Sequence, residues 1–302
     1  MIYVWHHAVS LVLALSAGWS LDRARWTHRS PHLALLLWHA TLAAVVTAGI
    51  GLLLSAGLVG YGRGIVPALG QLLGDLRAGS LPPGLTSAHL LAVAGGLILT
   101  AVVVAAQVRS TRLLHRHRSR HRLLLRLVAR ADPRSDALVV DHPAAAAYCV
   151  PGRSDCVVVS TGAISALTSP ELRAVLAHEH AHARGYHHLA IAPFHALRQA
   201  VPGRLVARLA DDVELLVEMC ADDHAARRHG TAALVSALRR FHELGHDSTP
   251  PGALAAAGHA VVLRMQRLAD DPRPLPRTLR GVLIVVAFAV ATTPSSLFLL
   301  PA

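Results

Sequence analysis

The sequence predicts an α+β fold: four transmembrane helices carrying a mostly helical polar domain with a small β-sheet, inserted between the third and fourth helices. Three observations lead there. Four stretches contain no Asp, Glu, Lys or Arg: Ile2 to Leu21, Leu33 to Val59, Leu85 to Val108 and Val282 to Leu300. Between the last two lies a segment rich in Arg, His and acidic residues. Within that segment, short β-branched runs come first and helical periodicity follows, which is the order of an α+β domain.

Each charge-free stretch has about the length needed to cross ~30 Å of hydrocarbon as a helix. The composition agrees, with 53% hydrophobic and only 16% charged residues, where a soluble domain has about a quarter charged. The second stretch exceeds what a span needs and can tilt or run past the bilayer. The first does not read as a signal peptide. Met1 to His7 carries no Arg, no clear small-residue cleavage site follows, and the basic cluster comes after the apolar run. Asp22, Arg23, Arg25 and Arg29 mark its far end, so the positive-inside rule puts the loop from Asp22 to Pro31 in the cytoplasm. The loop from Gly60 to Gly84 holds only Arg63, Asp75 and Arg77 and is assigned outside. At Arg109 the chain re-enters the cytoplasm, and Arg112, Arg116, Arg118, Arg120, Arg122, Arg126 and Arg130 follow before any acid. The expected organisation is a membrane region over 1–108 with spans near 2–21, 33–59 and 85–108, a cytoplasmic domain over 109–280, and a fourth span over 281–302. The expected location is the plasma membrane, crossed several times.

The net charge is +11, carried by Arg without any Lys. Heavy Arg and Ala usage can reflect a GC-rich genome, so charge alone does not argue for nucleic acid. No aromatic residue interleaves with the arginines from Arg109 to Arg130 for base stacking. That stretch reads as a juxtamembrane helix resting on anionic lipid, with no direct nucleic-acid partner expected. Of the three Cys, Cys149 and Cys156 are close enough in sequence to pair across a turn, and free thiols in a reducing compartment are the favoured reading. Ala137 to Asp141 and Cys156 to Ser160 read as short strands, with Pro151-Gly152 as a turn signal between strand-like runs.

Helical periodicity begins at Pro170. Ser169 is a suitable N-cap, Pro170 suits the first helical position, and Leu172, Val175 and Leu176 form an apolar stripe. His178 and His182 then stand four apart, so both imidazoles leave one helix face and can bind one Zn²⁺. Glu179 sits one step round, where a general base would be needed; together these make an HExxH arrangement. With 21 His but five Glu, chance placement gives roughly 0.02 such motifs in a chain of this length. His180 points away from the pair and reads as a solvated residue; His187 and His188 read as solvent-facing or as groups behind the ligands. A catalytic zinc commonly has three protein ligands. The segment from Leu205 to His229 reads as a helix stopped by Gly230, and it contains Glu218 and Asp222 at i, i+4. Glu218 can supply the third ligand while Asp222 orients a ligand imidazole. On spacing alone Glu214 or Asp223 can fill either role.

These motifs resemble the integral-membrane zinc peptidases of the BlaR/MecR type and their relatives of the HtpX and CAAX prenyl protease type. The likeness rests on Ala147 to Ile164 (AYCVPGRSDCVVVSTGAI), Leu172 to His188 (LRAVLAHEHAHARGYHH), the ExxADxxA pattern from Glu218 to Ala225, and Arg264 to Leu268 with Asp271 to Pro274. The four-helix layout fits as well. The resemblance implies a zincin-like peptidase domain with His178, His182 and Glu218 as metal ligands, Glu179 as base and Asp222 behind the ligands. It also implies that the edge strand near Cys156 to Ser160 holds substrate backbone by β-augmentation. In the HtpX type a downstream His and Arg stabilise the oxyanion; His259 and Arg264 lie in roughly the matching place. Two departures stand out. Asp223 occupies a position where the HtpX type often carries a basic residue. No penicillin-binding sensor domain follows the last apolar stretch, so beta-lactams are not the expected signal.

The implied chemistry is zinc-dependent endoproteolysis, with a protein or peptide substrate and membrane lipid as partners. A cytoplasmic winged-helix repressor is the substrate the resemblance suggests, with cleavage relieving repression. A general quality-control protease and a non-catalytic membrane scaffold are the other readings.

Overall fold

The computed structural model describes residues 1–132, 136–151, 156–245, 251–270 and 273–298. Gly152, Asp271 and Pro272, which carry part of the expected turn and of the DPRP motif, lie outside them. By compactness the chain divides into one unit of Met1–Ala106 with Leu275–Ala302 and another of Gln107–Pro274.

The first unit contains α1 (Ile2–Arg23), α2 (Pro31–Gly57) and α3 (Ile65–Ala78). The first part of α4 (Ser87–Val128) also belongs to it, and α11 (Arg277–Thr292) closes it. α1, α2, α4 and the segment Arg277–Ser295 are long and apolar enough to cross a membrane. α3 corrects the reading of residues 60–84 as a plain loop. Its apolar stripe of Ile65, Ala68 and Leu72 packs on Leu54, Leu58 and Val93, at the i, i+3, i+7 spacing of one helix face. α1 packs along α2, where Gly51 leaves space for the buried His7 ring: a Cβ there would lie 2.5 Å from His7 Nδ1.

The third apolar stretch does not end at Val108. α4 runs for 42 residues, about 63 Å at ~1.5 Å per residue. Leu and Arg are good helix formers, and no Pro or Gly interrupts the segment after Gly96, so nothing stops the helix at the apolar boundary. Its last turns belong to the second unit.

There the chain forms β1 (Ala129–Asp132), β2 (Ala137–Val140), β3 (Ala147–Val150) and β4 (Cys156–Ser160). The helices α5 (Thr161–Ala166), α6 (Ser169–Arg184), α7 (His187–Ala200), α8 (Arg204–His229), α9 (Thr231–Gly245) and α10 (Pro251–Asp270) follow. The domain is therefore mostly helical with one four-stranded sheet, as the α+β reading anticipates.

The strand order is β1-β2-β4-β3. β1 and β2 form a hairpin, β2 runs parallel to β4, and β3 returns antiparallel to β4 with Val150 opposite Cys156 and Tyr148 opposite Val158. This corrects one expectation: Cys156–Ser160 is an inner strand, and the edge beside it is β3. Val157, Val158 and Val159 are all buried, the unbroken apolar run of a strand covered on both faces. Side chains alternate across the sheet. Val157 and Val159 pack with Ala163 and Leu176 on the α6 side. Val150 and Val158 pack with Leu125 of α4 on the other. Cys149 stands opposite Val157 and Cys156 opposite Val150, so the two thiols leave opposite faces and cannot join, and neither is in a disulfide.

Candidate metal centre

α6 begins one residue earlier than the Ser169 cap implies. Thr168 precedes the helix, and Glu171 Oε2 accepts from the Thr168 backbone N–H at 2.7 Å and from its hydroxyl at 2.8 Å, a capping box that closes the first turn. Glu171 Oε1 accepts from Ser236 Oγ and from Arg240 Nε at 3.0 Å on α9. This anchored start holds α6 against its neighbours. α6 meets α8 and α9 through Ala174, Ala177, Ala225 and Leu234. Small side chains let helix backbones approach closely, so a Glu and two His on facing helices can meet.

They do meet. His178 Nε2 lies 3.0 Å from His182 Nε2 and 3.3 Å from Glu218 Oε2, and His182 Nε2 lies 3.2 Å from Glu218 Oε1. Donor atoms on a tetrahedral metal with bonds of about 2.0–2.1 Å are about 3.3–3.4 Å apart. The three separations fit one ion of that size, and the donor set of two imidazoles and a carboxylate suits zinc. This is the three-donor group found among the described residues. Burial opposes charging of His178, yet Asp222 and Glu218 raise its pKa to about 9; the surroundings of that ring favour positive charge.

The remaining predicted residues fall as follows. Asp222 is fully buried, with Oδ1 at 3.0 Å from His178 Nδ1, at an angle off a straight N–H···O line. Burial works against its charge, but Arg264 keeps it ionised. Arg264 Nε donates to Oδ2 at 2.8 Å and Nη2 to Oδ1 at 2.7 Å, while Nη1 lies 2.9 Å from Glu218 Oε2. The guanidinium is thus committed to two carboxylates that meet the histidine pair, and it does not line the cavity. His259 is exposed on the same helix. Five residues correspond to about 140° of rotation, so it faces away from Arg264 and joins no oxyanion pair with it. The two alternative carboxylates are occupied elsewhere: Glu214 with His195 Nε2 and Asp223 with Arg267 at 2.7 Å. Half-buried Glu179 has its pKa raised by burial. His180 is also half-buried, which lowers its pKa, where solvation is the expectation.

His187 is a residue whose part the sequence left open. Its Nδ1 lies 3.0 Å from His182 Nδ1, behind the face that carries Nε2. Gly185 ends α6 and Tyr186 turns the chain with φ +48. A Cβ on Gly185 would stand 2.5 Å from His187 Nε2, so the ring's position depends on that glycine. The signal was the Gly-Tyr break directly after the HExxH helix.

A cavity of about 530 Å³ opens over the cluster, lined by His178, Glu179, His182 and Glu218, by the edge strand from Ala147 to Val150, by Leu114, His117, Arg118 and His121 of α4, and by His187, His188, Ile191 and His195 of α7. The cleft joins the edge of β3, which pairs with no further strand among the described residues, to a His, His, Glu donor set that could hold a metal ion.

Residues 114–210 match peptidase family M48, a family of zinc metallopeptidases. The matched stretch runs from α4 through the sheet, α6 and α7 into α8. It contains His178, Glu179 and His182 and stops short of Glu218 and Arg264. It supports a metallopeptidase domain. No curated protein and no solved structure matches the chain.

Proposed function

We propose that the protein is a membrane-anchored zinc metalloendopeptidase that hydrolyses peptide bonds of a cytoplasmic or membrane protein. The observation that carries this reading is the convergence of His178, His182 and Glu218 beneath a cleft also lined by Glu179, inside a stretch that matches a metallopeptidase family.

His178, His182 and Glu218 would hold a zinc ion, which would supply Lewis acidity toward a peptide carbonyl and a water molecule. Glu179 takes the proton of the attacking water and passes it to the leaving amine as the C–N bond breaks. Burial raises the Glu179 pKa, which makes it a better proton acceptor than an exposed carboxylate. Asp222 and Arg264 fix His178 and Glu218, and His187 fixes the His182 ring from behind; ligand orientation of this kind commonly controls metal affinity. Substrate backbone adds to the outer edge of β3, which pairs with no strand among the described residues and lines the cleft.

Membrane anchoring is supported by the four long apolar helices and by the side chains they expose, such as Val12 at 62%, Leu91 at 72% and Phe288 at 71%. Water rarely tolerates such faces. The arginines after Val108 support a cytoplasmic peptidase domain, with exposed Arg112, Arg116 and Arg120 meeting anionic lipid.

A winged-helix repressor as substrate rests on the resemblance to the BlaR/MecR type. The test compares new protein N-termini in cells expressing wild type and Glu179→Gln. A repressor cut by wild type alone supports the signalling reading, many unrelated membrane proteins support quality control, and identical profiles support the non-catalytic scaffold.

A further inference from the structure

The α4 wall of the cleft has a chemistry that metal binding does not use. Leu114, His117, Arg118 and His121 recur at i, i+3, i+4, i+7, so they share one face of the helix. That face is held against the sheet. His121 Nε2 lies 3.1 Å from Tyr148 Oη, Arg122 Nη2 donates to Val150 O at 3.4 Å, and Leu125 is buried with Val150 and Val158. Within this wall Arg118 carries the permanent charge. It is half-buried, burial works against its charge, and no carboxylate of the described residues pairs with it. Among the described residues, the carboxylates lining the cleft are Glu179 and Glu218, which belong to the metal site. Among the described residues the group that supports the Arg118 charge is the Cys149 thiol rather than a carboxylate, and a desolvated guanidinium so placed is stabilised by an incoming carboxylate, which Arg can bind with paired, charge-assisted hydrogen bonds.

The edge strand sets the spacing. Tyr148 and Val150 face the α4 side of the sheet, while Ala147 packs on the α6 side and Cys149 shares that face. An extended segment paired with β3 sends its side chains alternately to these two sides. Every second residue therefore meets the α4 wall, and the residues between them face the metal side. We propose that the cleft selects extended segments bearing an Asp or Glu on the side that faces α4, and that Arg118 is the residue that sets this preference. The inference rests on the endopeptidase reading and names the substrate class of that site.

The test uses the full-length zinc-loaded protein in nanodiscs of neutral lipid. Its substrates are pairs of extended decapeptides that differ only in Glu against Gln at alternate positions. Wild type is expected to favour the Glu peptide about tenfold in kcat/KM, the range of one charge-assisted contact in a half-exposed setting. Arg118→Gln brings the ratio close to one, Arg118→Lys keeps part of it, and Arg116→Gln, which removes the same charge from an exposed position, leaves it unchanged. A ratio that Arg118→Gln does not move overturns the proposal. So does an equal drop in Arg116→Gln, which would signify bulk charge. If wild type cuts neither peptide, the endopeptidase reading fails, and the affinity of Glu179→Gln for the two peptides by fluorescence anisotropy still decides the specificity: a Glu preference dependent on Arg118 upholds it and equal affinities reject it.

Discussion

Replacing Arg264 by Met tests how the cluster is held together. Asp222 is fully buried and receives two hydrogen bonds from this guanidinium at 2.7 and 2.8 Å, and the third nitrogen reaches Glu218 at 2.9 Å. Met fills much of the same space but leaves Asp222 with only the oblique contact to His178. Removing one partner of a buried ion pair costs about 3–5 kcal/mol. That is a large share of the ~5–15 kcal/mol that keeps a domain folded. The double variant Arg264→Met with Asp222→Asn removes the buried charge as well, and should recover most of the loss because the penalty lies in the uncompensated carboxylate. The four Trp stand at positions 5, 19, 26 and 38, all in the unit formed by residues 1–106 and 275–302. Intrinsic fluorescence would therefore not report the peptidase unit. Hydrogen exchange of the α6, α8 and α10 amides in chelator-treated protein does, and its opening free energies give the comparison directly. A loss below about 1 kcal/mol in Arg264→Met, or a double variant no better than the single, refutes the account of Arg264 as the compensating charge.

Two further outcomes follow from the same geometry. Gly185→Ala places a methyl 2.5 Å from His187 Nε2 and 2.9 Å from Ala181 O, so the ring must leave His182; zinc affinity measured by chelator competition should fall about 10–100-fold, as in His187→Ala. Unchanged affinity in both variants would remove His187 from the metal site. Burial alone would raise the Glu171 pKa, but hydrogen bonds from Ser236, Thr168 and Arg240 outweigh it and lower the carboxyl to about 2. With the folded pKa below the unfolded value, this contribution is present above about pH 4.5 and is lost as pH falls toward 2. Denaturation midpoints by circular dichroism should thus fall more steeply over that window in wild type than in Glu171→Gln, and parallel curves would contradict the assignment.

What the sequence showed and concealed follows from how local each feature is. His178, Glu179 and His182 share one helical turn, so spacing alone reveals them. Glu218 lies on another helix and competed with Glu214 and Asp223 until His195 and Arg267 were seen to engage those two. The edge strand was misassigned because β4 pairs in parallel with β2 and leaves β3, which lies between them in sequence, at the edge, a non-local choice that alternation along one strand does not encode. Arg118 was grouped with its neighbours as lipid-facing, since the rotational phase of α4 against the sheet is set by Leu125 and Val150 packing. The cap at Thr168 was readable, because Thr168 and Glu171 have the spacing of a capping box; Ser169 and Pro170 drew attention one residue too far.

The most direct test of the central claim is the zinc content of the purified protein and four variants by elemental mass spectrometry. Wild type, Glu179→Gln and Glu214→Gln should each hold about one zinc per chain, whereas His178→Ala and Glu218→Gln should hold almost none. Full zinc occupancy in Glu218→Gln, or loss of zinc in Glu214→Gln, would contradict the metal site described.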